Sequence, residues 1–174
     1  MEALQADELD RYELIDGVIY DMTPSPSEAH QRVTTAIGSL LFSGLKGRCR
    51  TYVAPFDVWP TGDLKEAYVQ PDVTVICDEN KITEAGCVGA PDLVVEVLSP
   101  TTAGKDRKAK LRLYQHSGVR EYWIVDPVMH TVEVFRPHGE NAFLPSETYA
   151  LSDDEWLPIG IADGMRVMLA DIFS

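Results

Sequence analysis

Hydrophobic and polar positions recur along this chain in two rhythms, a period of two and a period near 3.6, and the changes from one to the other mark its elements. Over residues 12–22 the run YELIDGVIYDM carries β-branched and aromatic residues on both sides of Asp16-Gly17, a strong hairpin-turn signal, and predicts an opening β-hairpin. Thr23-Pro24-Ser25-Pro26 interrupts the pattern as a loop. Ser27 can then cap a helix over residues 27–46, with Val33, Ile37, Leu40, Leu41 and Leu45 at helical spacing and Gly47 as its stop. RTYVAPFDVWP and AYVQPDVTVIC read as strands separated by a turn at Thr61-Gly62-Asp63. DLVVEVL, residues 92–98, is apolar on both faces except for one acid, the pattern of an interior strand. A second helix is predicted from Asp106, its expected N-cap, to Ser117, with Gly118 in the position where a left-handed residue closes a helix. EYWIVDP and TVEVFRP follow as strands around a turn at residues 127–130, and the remainder, including GMRVMLADIF, reads as loops with one closing strand or turn. This order predicts an α/β fold, a mixed β-sheet flanked by helices with an N-terminal β-hairpin.

The length of 174 residues and the lack of any linker or low-complexity tract predict one domain, residues 1–174. No apolar stretch approaches the ~18 residues of a membrane span, and MEALQADELDRYE is acidic rather than basic-then-apolar, so a cytoplasmic protein without a membrane partner is expected. Cys49, Cys77 and Cys87 are odd in number, far apart and without a CxxC pair, which predicts reduced thiols. Formal charge is −13, and a field of that sign opposes avid, nonspecific DNA binding. Against that background Lys105, Arg107, Lys108, Lys110 and Arg112 form a local basic run, with Arg120 shortly after. A solvated helix face is the plainer reading of such a run.

Three residues carry candidate chemistry. Glu96 stands among Val94, Val95, Val97 and Leu98, and a carboxylate there costs several kcal/mol to desolvate unless it is paired or holds a cation. Asp72, in QPDVTVI, is a second acid at the edge of an apolar strand. If the two strands pair, their carboxylates converge, and either a shared proton or a divalent ion must relieve the repulsion. Mg2+ (or Mn2+) suits two carboxylates because it keeps several waters for phosphate oxygens. Lys110 lies on the helix after the Glu96 strand and can return toward both acids to orient a water and neutralise charge, although an i,i+4 pair with Asp106 would also explain it. Glu13, on the hairpin, and His30, near the start of the first helix, are second-tier candidates for the same cleft. Asp92 of the second Pro-Asp pair is about 13 Å from Glu96 along the strand and cannot share its metal. No P-loop, GxGxxG or nucleophile elbow is present.

QPDVTVI, PDLVVEVLSP and DRKAKLRLYQHSGVREYWIVDP together resemble the Uma family of restriction-endonuclease-like proteins, within the PD-(D/E)XK nuclease superfamily. The resemblance extends from RYELIDGVIYDM through EAHQRV to the closing GMRVMLADIF and is most specific over residues 91–127. It implies that Asp72 is the PD acid, Glu96 the (D/E) acid and Lys110 the lysine, with Lys108 in reserve and with Glu13 and His30 matching the family's ELIDG and helix-borne His patterns. Leu98 stands where a strict ExK motif has its lysine, so the lysine must come from the helix. The expected function is a metal-dependent endonuclease hydrolysing DNA phosphodiester bonds, relying on a partner or on a homodimer for DNA affinity. Two other readings compete: a noncatalytic binding module that keeps the fold, and a hydrolase of a small phosphorylated substrate, which would need no basic groove.

Overall fold

The computed structural model describes residues 12–21, 26–99, 106–138 and 143–174. The expected loop at residues 23–25, Lys105 of the basic run and the side chain of Asp106 lie outside them. Strands β1 (Tyr12–Ile15) and β2 (Val18–Asp21) form the expected hairpin, with Asp16 at φ 51° and Gly17 at φ 75° in its two-residue turn. Helix α1 (Glu28–Gly44) starts at Ser27, whose hydroxyl accepts from the His30 N–H at 3.3 Å. Val33, Ile37, Leu41 and Leu45 of its apolar stripe are buried and Leu40 is half-buried.

The next two predicted strands are each divided by a proline, which cannot donate to a ladder. RTYVAPFDVWP becomes β3 (Arg50–Val53) and β4 (Val58–Trp59) on either side of Pro55. In AYVQPDVTVIC, Tyr68 bridges to Leu14 and Val69 to Val58, and the chain changes partner at Pro71 to begin β5 (Val73–Ile76). After the short β6 (Cys87–Val88), which pairs with β4, come β7 (Leu93–Val97), α2 (Asp106–Ser117), β8 (Glu121–Asp126) and β9 (Thr131–Pro137). The C-terminal part is more ordered than the expected loops with one closing strand. It contains β10 (Phe143–Ala150), a β11–β12 pair (Trp156–Pro158 and Arg166–Met168) and α3 (Leu169–Phe173). FLPSETYA, the β10 sequence, escapes a pattern search because it lies at the edge of the sheet, where a continuous apolar run is not required.

The central sheet has the order β10-β9-β8-β7-β5-β3, antiparallel throughout except for β7 and β8, which run parallel and are joined through α2, as a parallel pair requires. Alternation along the strands gives each face its own core. Val73, Val75, Leu93, Val95 and Val97 meet α1 and α3, while Ile76, Val94, Tyr122 and Ile124 meet Ala109, Leu113 and Tyr114 of α2. No helix among the described residues is long and apolar enough to cross a membrane.

The expectation of three reduced cysteines is corrected. The β3–β5 register pairs Arg50 with Ile76, so Cys49 and Cys77, 28 residues apart in sequence, fall opposite each other with Cα atoms 4.0 Å apart and form a disulfide. Cys87 is a buried free thiol whose pKa burial pushes up to about 11.

Candidate active site

The β5–β7 register matches Val73 with Val95, and its continuation by one position sets Asp72 opposite Glu96 at the strand ends. Directly opposed residues of an antiparallel pair project from the same face. Pro71 explains why Asp72 sits at a strand end rather than within the ladder, and its carboxylate turns inward there: Oδ2 accepts the Val97 N–H at 2.7 Å. Glu96 shares the α2 face of β7 with Val94.

Lys110 comes down from α2 onto that face. Its ammonium lies 3.0 Å from Glu96 Oε1 and 2.9 Å from Glu13 Oε2, so a residue 97 positions earlier in the chain shares its charge. Glu13 is fixed in turn by the Gln70 N–H, 3.0 Å from its Oε1. One turn beyond Lys110, Tyr114 donates its hydroxyl to Glu96 Oε1 at 2.8 Å. The i,i+4 spacing puts ammonium and phenol on the same stripe of α2. Exposure rises outward across the group, from 3% of the Glu13 side chain through 9% of Lys110 and 14% of Glu96 to 17% of Asp72, so the cluster opens to solvent on the Asp72 side.

His30 reaches Asp72 from the opposite layer, at the first turn of α1, with Nε2 3.2 Å from Oδ2, while Thr34 Oγ1 lies 3.4 Å from its Nδ1. All five residues singled out from the sequence therefore meet in one network. Tyr114 was missed, because a tyrosine in an amphipathic helix reads as core; the signal that could have found it is its position four residues after Lys110.

The electrostatics follow from burial and from an excess of negative charge. Burial pushes the Glu96 carboxyl up; Lys110 opposes that rise while Asp72 and Glu13 add to it, and the result is a pKa of about 8. For Lys110 burial works against the charge, but Glu96 and Glu13 outweigh it and hold the ammonium protonated well above its ordinary range. Burial alone would lower His30; its hydrogen bond to Asp72 and the charges of Asp72 and Glu96 raise it instead. Tyr114 is held as a neutral phenol by burial and by Glu96.

Among the described residues, the hydrogen bonds to the two central carboxylates fall on Asp72 Oδ2 and Glu96 Oε1. That leaves Oδ1 and Oε2 as hard oxygen donors that could hold Mg2+ or Mn2+. Among the described residues no group of three or more His, Cys, Asp and Glu converges as a complete metal cage. Two carboxylates plus waters is the donor set magnesium commonly takes, so these residues fit it.

The other candidates are elsewhere. Asp92 accepts the Cys77 N–H at 2.7 Å and pairs with Arg120 at 3.0 Å, a structural role away from Glu96. In the basic run, Arg107 pairs with Glu133, Lys110 is buried, and Lys108 and Arg112 are exposed with no ion pair among the described residues.

A mixed sheet with two acids at adjoining strand ends and a lysine from the crossover helix belongs to the restriction-endonuclease-like class. A solved structure described as a putative nuclease belonging to DUF820 from Anabaena variabilis ATCC 29413 superposes with a TM-score of 0.73, covering 94% of this chain and 90% of its own at 22% identity. The chain belongs to the family described as Uma2, putative restriction endonuclease, whose model matches residues 1–167. Two relatives from Synechocystis sp. (strain ATCC 27184 / PCC 6803 / Kazusa) are both named as uncharacterized. The protein slr1290 is 29% identical over 96% of this chain and 88% of its own length. The protein sll1609 is 31% identical over 84% of each.

Proposed function

We propose that this protein is a metal-dependent endonuclease that hydrolyses DNA phosphodiester bonds, with Asp72 and Glu96 holding Mg2+ or Mn2+ and Lys110 acting on the phosphate. The observation that carries this reading is the opposition of Asp72 and Glu96 across the β5–β7 register with Lys110 in contact with Glu96. Among the described residues, Glu13, Asp72 and Glu96 bring three carboxylates to one partly buried group, against the Lys110 ammonium and the His30 imidazole. A divalent ion offsets that excess, and it supplies Lewis-acid polarisation of a phosphoryl oxygen together with a more acidic water.

The protein's own groups divide the remaining work. Lys110 cannot be the base, because the two glutamates keep it charged. Its ammonium, within 3.0 Å of both Glu13 oxygens and of Glu96 Oε1, instead supplies a fixed positive charge beside the reacting phosphate, where it offsets charge that develops in the transition state. Glu13 fixes the ammonium from behind. His30 and the Val97 N–H hold one oxygen of Asp72.

The charge of −13 favours a second reading, a small phosphorylated substrate, since only Lys108 and Arg112 of the described basic run face solvent without an ion pair. Isothermal titration with Mn2+, run beside a supercoiled-plasmid nicking assay in Mg2+, tests the proposal. Binding of about one ion per chain together with nicking supports it. Binding without nicking, with turnover of a small phosphodiester such as bis-p-nitrophenyl phosphate, moves the assignment to the second reading. No binding and no hydrolysis leaves a noncatalytic module, cytoplasmic or otherwise, that retains the fold.

A further inference from the structure

The hydroxyl of Tyr114 has no packing explanation. The residue is fully buried, its ring lies 4.9 Å from that of Tyr122 at 59°, and it belongs to the same core cluster as Ala109, Leu113 and Val119. A phenylalanine would fill that space without a polar atom, and a buried hydroxyl costs free energy unless it is bonded. Its bond goes to Glu96, on the same Oε1 that takes Lys110.

The terminal torsion of a glutamate is soft, so one donor leaves the carboxylate free to swivel. Two donors from one stripe of α2, converging on a single oxygen, fix the carboxylate plane and leave Oε2 as the oxygen neither of them holds. The chemistry of the second donor also matters. A second cation beside Lys110 would cancel the charge of Glu96, whereas a neutral phenol orients the carboxylate and leaves its charge available.

We infer that Tyr114 is a positioning residue of the proposed metal site, locking Glu96 through Oε1 so that Oε2 is presented to a divalent ion. This rests on the metal-dependent reading above. Hydrogen-bond partners of metal-ligating side chains typically contribute about 10–100-fold in metal affinity.

The test is Mn2+ titration of the wild-type protein, Tyr114→Phe and Tyr122→Phe by calorimetry, below the melting temperature of each as set by circular dichroism. Tyr114→Phe is expected to weaken Mn2+ at least about tenfold, within the range for such partners, and Tyr122→Phe, which also loses a buried hydroxyl, to leave it unchanged. In the nicking assay the Mn2+ concentration for half-maximal rate should rise by the same factor while kcat at saturating Mn2+ is kept. A Tyr114→Phe chain that does not fold is replaced by Tyr114→Met, also without a donor, and read in the same way. Equal Mn2+ affinity in the wild type and the Tyr114 variant overturns this inference alone. A wild type that binds no Mn2+ overturns the metal-dependent reading and this inference with it.

Discussion

Glu96 and Glu121 lie on neighbouring parallel strands, the first largely and the second fully buried, yet they are treated in opposite ways. Glu121, on the α1 face, is fully satisfied: Oε1 accepts Trp123 Nε1 at 2.6 Å and Oε2 accepts Arg136 Nε at 3.2 Å. The backbone closes over it, and a Cβ at Gly160 would come within 2.3 Å of Oε2. Glu96, on the α2 face, has Lys110 and Tyr114 on one oxygen and two further carboxylates in its neighbourhood. Burial together with Asp72 and Glu13 keeps its pKa near 8 despite the adjacent ammonium. Buried charge alone therefore does not mark a site. The difference is excess: one acid is neutralised and sealed, the other is left short of positive charge at the open end of two strands.

The sharpest way to break this comparison is to remove each charge in turn. Glu96→Gln keeps an oxygen for Lys110 and Tyr114, so it should fold normally while Mn2+ binding and nicking fall to background. Glu121→Gln should do the reverse. Nicking below its melting point is kept, but a guanidinium and an indole N–H lose their anion, at a cost of about 3 kcal/mol, or roughly 10 °C in Tm for a chain of this size. Calorimetry and thermal melts on both variants check the pair, and equal metal binding in Glu96→Gln and wild type would remove the distinction.

Lys110→Met probes the ammonium in contact with Glu96. It leaves Glu13 and Glu96 without their shared ammonium, so stability should fall by about 3 kcal/mol or more. Mn2+ affinity should be retained or tightened, since a competing positive charge is gone. The kinetic loss should fall on kcat, by about 100-fold, because the interaction is made mainly in the transition state. Single-turnover nicking at saturating Mn2+ separates the two effects, and a loss confined to metal affinity would contradict the assigned role.

Proton linkage gives a smaller and graded effect. The Glu96 carboxyl has an ordinary value of 4.5 and titrates near 8 in the folded chain, so between those limits the native state holds a proton that the unfolded state has released. Stability without metal should fall as pH rises through that window, by an amount on the order of a few kcal/mol. The raised His30 acts in the same direction, its contribution being present at low pH and lost as pH rises through its folded value. Urea denaturation from pH 5 to 8.5 should show the decline in wild type and a flatter profile in Glu96→Gln. The smallest effect is chemical: thiol titration of the unreduced, denatured chain should count one reactive thiol, Cys87, and three after reduction. Three before reduction would return Cys49 and Cys77 to the reduced state expected from their spacing.

Local chemistry was enough for much of this. The hairpin at Asp16-Gly17, the Ser27 cap and the interior strand around Glu96 follow from turn geometry, capping and periodicity, all of which act over a few residues. Asp72 and Glu96 were visible as charges at or within apolar strands, and Lys110 by its place on the helix that follows the Glu96 strand. The resemblance to the Uma family brought Glu13 and His30 forward, but nothing local says that Glu13 meets Lys110 or that His30 reaches Asp72 from the other side of the sheet. Those contacts, the Cys49–Cys77 bridge and the hydroxyl of Tyr114 on Glu96 depend on strand order, register and the angle at which α2 crosses the sheet. Such quantities are set by how whole faces pack, with partners up to 97 residues apart, and no window of neighbouring residues contains them.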